Sequence, residues 1–209
     1  EKTGKDVTLL KTGDEVCAST GAAFGAYAEY ICLPEKSVMV LKPSNMTFEE
    51  AAAVPHCALA ALYYLKKGKV RRGQKVLIHR ASGGIGTFAV QIAKSFGAEV
   101  TVVCSTTNID SVKSLGADKV IDYTKKLSIN DLETYDFVLD AVGKIKSSEL
   151  KEKCKKSLNP NGKYISVDNG SPKLLSEHLV NLKELIEAGQ VKAIIDSTFH
   201  LNKWWRLIG

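Results

Sequence analysis

Residues 76–86 read VLIHRASGGIG, a run of strand formers that gives way at Arg80 to a run of small residues. Small residues at a strand end do chemistry by letting the backbone come close to a ligand. Loop N–H groups can then meet an anion directly, and a helix starting at that point adds the positive end of its dipole. Ala81, Gly83 and Gly86 make an A-x-G-x-x-G variant of the dinucleotide fingerprint, a pattern that gains weight only from a strand before it and a helix after it. In that setting Ala81 allows the tight turn, Gly83 and Gly84 let N–H groups approach a pyrophosphate, and Gly86 lets helix and strand pack closely. A second strand ends at Ser105, about 20 residues on, where a dinucleotide fold reads the adenosine ribose. NAD-selective folds place an acid there. The segment CSTTN has none and the first acid is Asp110, which favours NADPH and leaves NADH as the alternative. Arg80 admits two readings, neutralising phosphate charge from the loop side or snorkelling over the sheet edge.

Such a loop must be positioned by alternating strands and helices, and the chain supplies them from Gln74 onward. KVLIHRA (75–81), EVTVVCS (99–105), KVIDY (119–123), FVLDAV (137–142) and GKYISVD (162–168) read as strands, with KAIIDSTF (192–199) as a last one. Between them GIGTFAVQIAKSFG places Ile85, Phe88, Ala89, Ile92, Ala93 and Phe96 on one helical face, NIDSVKSLG reads as a short helix, and LLSEHLVNLKELIEAG as a longer one. Each crossover helix needs a sheet face for its apolar stripe, so the expected fold is α/β, a doubly wound parallel sheet of the Rossmann kind. Upstream, DEVCAS, GAYAEYICL and SVMVLK are short β-rich pieces, and Thr47 with Glu50 three residues later caps a helix pair that Pro55 interrupts. The expected organisation is a partial β segment over 1–45, connecting helices over 46–73, a dinucleotide-binding domain over 74–200 and a tail over 201–209.

Composition narrows the classes. The net charge of +6 is concentrated in residues 144–156, KIKSSELKEKCKK, and there and just beyond it Leu150, Cys154 and Leu158 recur every four residues as the buried stripe of a helix with a lysine-rich outer face. No nucleic-acid partner follows from such a segment. The cysteines at 17, 32, 57, 104 and 154 are odd in number and contain no C-x-x-C pair, which reads as free thiols in a reducing, cytoplasmic setting, with Cys17, Cys32 and Cys104 as small buried apolar residues. No apolar run is long enough for a membrane span. The chain opens on EKTGKD with neither an initiator Met nor an apolar signal core, so Glu1 is read as lying inside a longer native chain.

The ordered set GDEV, GAYAEYICLPE, MTFEEAAAVP, VLIHRASGGIGTFAVQIAKSFGAEV, SLGADKVIDY, FVLDAVG and IIDSTF resembles the medium-chain dehydrogenase/reductases, and within them the zinc-free quinone oxidoreductase branch. The resemblance implies a GroES-like β domain, present here only in part, and a Rossmann domain binding NADPH or NADH; the family's chains continue further at both ends. It also implies that Ser82, Gly83, Gly84, Ile85 and Gly86 contact the pyrophosphate, Ser105 and Thr106 the adenosine ribose, and Tyr123 the region of the 2′-phosphate, while Val142, Gly143 and Val167 flank the nicotinamide. Three residues depart from the family pattern. Ala60 stands for a threonine beside the nicotinamide, Asn108 for a phosphate-binding Lys or Arg, and Arg80 for a glycine.

The activity implied is hydride transfer to a small-molecule acceptor, a quinone or an α,β-unsaturated carbonyl, with no metal and no nucleic acid. No catalytic residue is named, because a quinone can take its protons from solvent. His56 corresponds to the last zinc ligand of zinc-using relatives, but their other ligands would precede Glu1, and neither His79, on a strand, nor His178, on a helix read as exposed, is a ligand. The alternatives kept open are a zinc-type alcohol dehydrogenase and a non-catalytic NADPH- or RNA-binding module, and a homodimer is compatible with the sequence.

Overall fold

The computed structural model describes residues 1–125, 132–143, 149–198 and 200–201; the first part of the lysine-rich segment and residues 202–209 of the tail lie outside them. In chain order the elements are β1 (Val16–Ala18), β2 (Met39–Leu41), α1 (Phe48–Gly68), β3 (Lys75–His79), α2 (Gly84–Ser95), β4 (Glu99–Cys104), α3 (Ile109–Ser114), β5 (Lys119–Asp122), β6 (Tyr135–Asp140), α4 (Glu149–Lys156), β7 (Leu158–Ser166) and α5 (Ser176–Glu187). Two compact units form, Glu1–His56 with Leu174–Gly209, and Cys57–Lys173.

The second unit carries the parallel sheet, in the order β5-β4-β3-β6-β7. Every neighbouring pair is parallel, from Val76↔Val100 and Val76↔Phe137 at the centre to Val102↔Val120 and Leu139↔Ile165 at the flanks. The central strand is apolar without alternation because helices cover both faces, and Val76, Leu77 and Ile78 are fully buried. On one face Leu77, Val103, Ile121, Tyr135 and Val138 meet Cys154 of α4, with Leu150 packed against them. The helical stripe of α4 therefore ends at Cys154, and Leu158, expected to continue it, begins β7. Helix α2 packs on β3 and β4 and buries more than the single expected face, with Thr87, Val90 and Gln91 also covered.

In the first unit β1 and β2 pair antiparallel, with Cys17 opposite Val40, and α5 packs on β2 through a buried side that includes His178, Leu179, Leu182 and Ile186. Four expectations are corrected here. GAYAEYICL forms no strand, Tyr30 is exposed, and the Cys32 thiol is exposed with it. KAIIDSTF, as far as it is described, forms none either. A β-rich sequence makes a strand only when a neighbour takes its N–H and C=O groups, and no described strand lies beside these two. His178, read as exposed, is buried because the apolar side of α5 is wider than its Leu and Ile positions alone suggest.

The predicted cap at Thr47 is present and reciprocal: the Thr47 N–H donates to Glu50 Oε2 at 2.9 Å and the Glu50 N–H to Thr47 Oγ1 at 3.3 Å. Pro55 does not split the helix as expected, since α1 runs unbroken past it. Proline removes one helical hydrogen bond and crowds the preceding turn, at a cost of about 3 kcal/mol. Burial of Leu59, Leu62 and Leu65, none more than 1% exposed, offsets that cost at about 1.5–3 kcal/mol per side chain. The division between the two units nevertheless falls just beyond it, after His56.

Candidate functional site

Parallel pairing puts the end of every strand of the sheet on one edge, and the residues singled out in the sequence all lie there. Ser82, Gly83, Gly84, Ile85 and Gly86 follow β3, Ser105 and Thr106 follow β4, Tyr123 follows β5, Val142 and Gly143 follow β6, and Val167 follows β7. The strand order runs outward from the centre in both directions, so the connections leaving β3 and β6 part, which opens the crevice where α/β sheets bind ligands.

The loop after β3 is a close approach of three backbones. The N–H groups of Arg80 and Ala81 both donate to the Val103 carbonyl, at 3.1 and 3.2 Å, and the Gly83 N–H turns back to the Arg80 carbonyl at 3.2 Å. A Cβ on Gly86 would sit 2.7 Å from Ala81 Cα and closer still to the Arg80 oxygen, so only glycine fits. Gly84 is pressed by α1: a Cβ there would stand 2.8 Å from the Cys57 sulfur, whose thiol pKa is raised by burial. Gly83 is the N-cap of α2, with extended backbone and no side-chain cap bond. The first N–H groups of α2 thus face a cradle of small residues, the donor set a phosphate needs.

At the ends of β4 and β5 the structure adds an acid that sequence spacing did not reveal. Thr106 Oγ1 donates to Asp122 Oδ2 at 2.5 Å, and Thr124 gives Asp122 Oδ1 its hydroxyl at 2.6 Å and its N–H at 2.9 Å. The Thr106 and Thr124 hydroxyls hold the buried Asp122 carboxyl below the usual carboxylate range. Three donors thus meet the carboxylate, one on Oδ2 and two on Oδ1. Lys125 Nζ stands 3.9 Å away, and Tyr123 is 47% exposed beside them. Asn108 turns inward and donates to Ser105 Oγ at 2.8 Å.

At the ends of β6 and β7 a second set of residues, also missed from sequence, fixes the backbone. Asp140 is fully buried; its Oδ2 takes Tyr164 OH and Lys151 Nζ, each at 2.8 Å, and its Oδ1 takes the Val142 N–H at 3.1 Å. His79 Nδ1 lies 3.4 Å from Oδ1, out of line for a hydrogen bond. Burial pushes the Asp140 carboxyl up, but His79, Lys151, Tyr164 and the Val142 N–H together hold it well below the usual range. Burial, reinforced by the Asp140 charge, pushes the Cys154 thiol up to about 12. Lys151 also donates to the Gly143 carbonyl at 3.0 Å. Gly143 has φ +71°, and a Cβ on it would come 2.9 Å from Asp168 Oδ1. From α1, Tyr64 OH donates to the carbonyls of Val167 at 2.8 Å and Gly170 at 3.2 Å. The only signal for these contacts in the sequence was an acid ending an apolar strand. Among the described residues no group of three or more His, Cys, Asp or Glu side chains is arranged to hold a metal ion, and no helix is long and apolar enough to cross a membrane.

Comparison with known proteins gives a consistent picture. The profile of the family described as zinc-binding dehydrogenase matches residues 84–194. A 2-methylene-furan-3-one reductase of Solanum lycopersicum is 36% identical over 213 residues, covering 93% of this chain and 53% of that protein. A chloroplastic NADPH-dependent alkenal/one oxidoreductase of Arabidopsis thaliana is 35% identical over the same length, again covering 93% and 53%. The chain therefore spans about half the length of these two relatives. Among solved structures, the quinone oxidoreductase from Coxiella burnetii superposes with a TM-score of 0.79 at 25% identity, covering 98% of this chain and 71% of that one.

Proposed function

The chain belongs to the zinc-binding dehydrogenase family, within the medium-chain dehydrogenase/reductase superfamily, and from that premise we propose that it binds NADPH along the carboxyl edge of its sheet and serves hydride transfer to an enone or a quinone. The observation that carries this reading is the glycine loop at the sheet's switch point, where α2 begins without a side-chain cap. In this reading Ser82 to Gly86 hold the pyrophosphate, Ser105 and Thr106 the ribose, Tyr123 the 2′-phosphate region, and Val142, Gly143 and Val167 the nicotinamide. Residues 1–45 belong to a GroES-like segment.

Bound NADPH supplies a hydride from its nicotinamide ring; with one proton from solvent, an enone becomes a saturated carbonyl or a quinone a hydroquinone, and NADP⁺ is released. The chain's own residues orient and exclude. Asp140 and Lys151 fix the Val142–Gly143 backbone and Tyr64 fixes Val167, so both strips would hold a nicotinamide ring at a fixed approach distance, which lowers the barrier. The acceptor class is supported by the relatives' activities on a methylene-furanone, on alkenals or alkenones, and on quinones.

NADPH is expected to bind more tightly than NADH. Asp122 already accepts from Thr106 and Thr124, which makes it a weaker acceptor for a ribose 2′-hydroxyl, and Lys125 stands close enough to offset its charge. Isothermal titration with both cofactors checks this, and equal affinities or a preference for NADH would count against it. The function itself is tested by NADPH consumption at 340 nm with an alkenal and with a quinone: turnover of either supports the reading, and binding of neither dinucleotide overturns it.

A further inference from the structure

Arg80 follows β3 with φ +65°, the left-handed region that disfavours any residue with a Cβ. Among the described residues only Phe24 and Lys69 share such a φ without being glycine. Lys69 directly follows the last residue of α1, where helices commonly turn left-handed. Arg80 directly follows the last residue of a strand, where no such habit explains it. Its backbone bonds ask nothing of its side chain: its N–H donates to Val103 and its carbonyl accepts from Gly83, which any residue would do. An unfavoured conformation kept at one end of a loop points to a function for the side chain that glycine could not supply.

That side chain folds back over the loop. Its Nε lies 3.4 Å, and its Cδ 3.6 Å, from the point a Cβ on Gly83 would occupy, beside the first turn of α2. The residue is exposed, and its guanidinium makes no ion pair or hydrogen bond with a described residue. The cation therefore has its donors to spare at the entrance of the cradle. We propose that Arg80 is a phosphate ligand of the dinucleotide site, closing on the pyrophosphate from the strand side while the α2 N–H groups hold it from the other. This rests on the NADPH reading above. A guanidinium offers a planar fork to two phosphoryl oxygens, and it meets the pyrophosphate shared by NADH and NADPH, so it adds affinity for both without choosing between them.

The test uses Arg80→Gly, Arg80→Ala and Arg80→Lys in the same chain, with titration of NADPH and NADH and thermal melting. Arg80→Gly is expected to melt no lower than the parent, because glycine accepts φ +65°, while both cofactors bind about 10-fold more weakly, or about 1.4 kcal/mol. The NADPH to NADH ratio stays unchanged. Arg80→Ala loses the same affinity, and Arg80→Lys recovers part of it as a charge without the fork. The difference between parent and Arg80→Gly should shrink in about 1 M salt, where an exposed charge pair is screened. Undiminished binding in Arg80→Gly would overturn the proposal, and so would a loss confined to NADPH, which would assign Arg80 to the 2′-phosphate. If the parent binds neither dinucleotide, the NADPH reading falls and this proposal with it; binding by the parent with no change in the variants removes this proposal alone.

Discussion

Gly83→Asp is expected to leave the melting temperature unchanged or higher and to weaken NADPH binding at least about 100-fold, or about 2.7 kcal/mol. The two effects have one cause. Gly83 is the N-cap of α2 with φ −81° and ψ 167°, the backbone an aspartate N-cap adopts, and a Cβ there meets nothing closer than Arg80 Nε at 3.4 Å. An aspartate therefore fits, accepts from the first free N–H groups of α2, and stabilises the helix by about a few tenths of a kcal/mol relative to glycine. Those are the donors proposed for the pyrophosphate, and the new carboxylate puts a like charge where the anion must lie. Melting curves and titration on one preparation check both halves. A folded variant that keeps its affinity would show that the phosphate is held elsewhere.

Asp140→Asn is expected to cost the unit that contains it about 3–5 kcal/mol, since removing one partner of a buried ion pair strands the other. Asp140 is fully buried where β3, β6, β7 and α4 meet, and its loss leaves Lys151, Tyr164 and the Val142 N–H to compete for a neutral amide. Urea unfolding at pH 7 measures the cost. Adding Lys151→Met should cost less than the two single changes summed, because the pair is removed together. The pH dependence has a fixed sign. Asp140 stays ionised in the fold well below its ordinary value, so its contribution is complete above about pH 4, where the unfolded chain is also ionised, and is lost as pH falls through the lower folded value. Stability of the parent should thus fall more steeply than that of Asp140→Asn as the pH drops from about 4. Unfolding midpoints across that range settle the point, and parallel curves would show that another carboxylate governs the acid limb.

What was legible from the residues alone was what neighbours in the chain decide. The apolar runs at 75–81, 99–105 and 137–142 are strands because a strand buried on both faces needs no alternation, and the small residues from Ala81 to Gly86 mark a turn into a helix. The Thr47 and Glu50 cap spans a single turn, so its spacing was sufficient. Strand order then set the candidate residues along one edge, because parallel strands must all end on the same side. The contacts that finish the site join residues far apart in sequence. Thr106 meets Asp122, Tyr64 reaches Val167 and Gly170, and Asp140 gathers His79, Lys151 and Tyr164. No local pattern encodes which polar groups will face one another once the sheet has assembled, and the rule that looks for an acid about 20 residues after the loop looks along the wrong strand for Asp122. The failed strands at 25–33 and 192–198 have the same origin, since a strand is completed by its partner's hydrogen bonds and β propensity cannot say whether a partner will stand beside it. The left-handed turn at Arg80 could not be read at all, because a backbone angle that opposes the residue's own preference is imposed by the strands and helix that close around it.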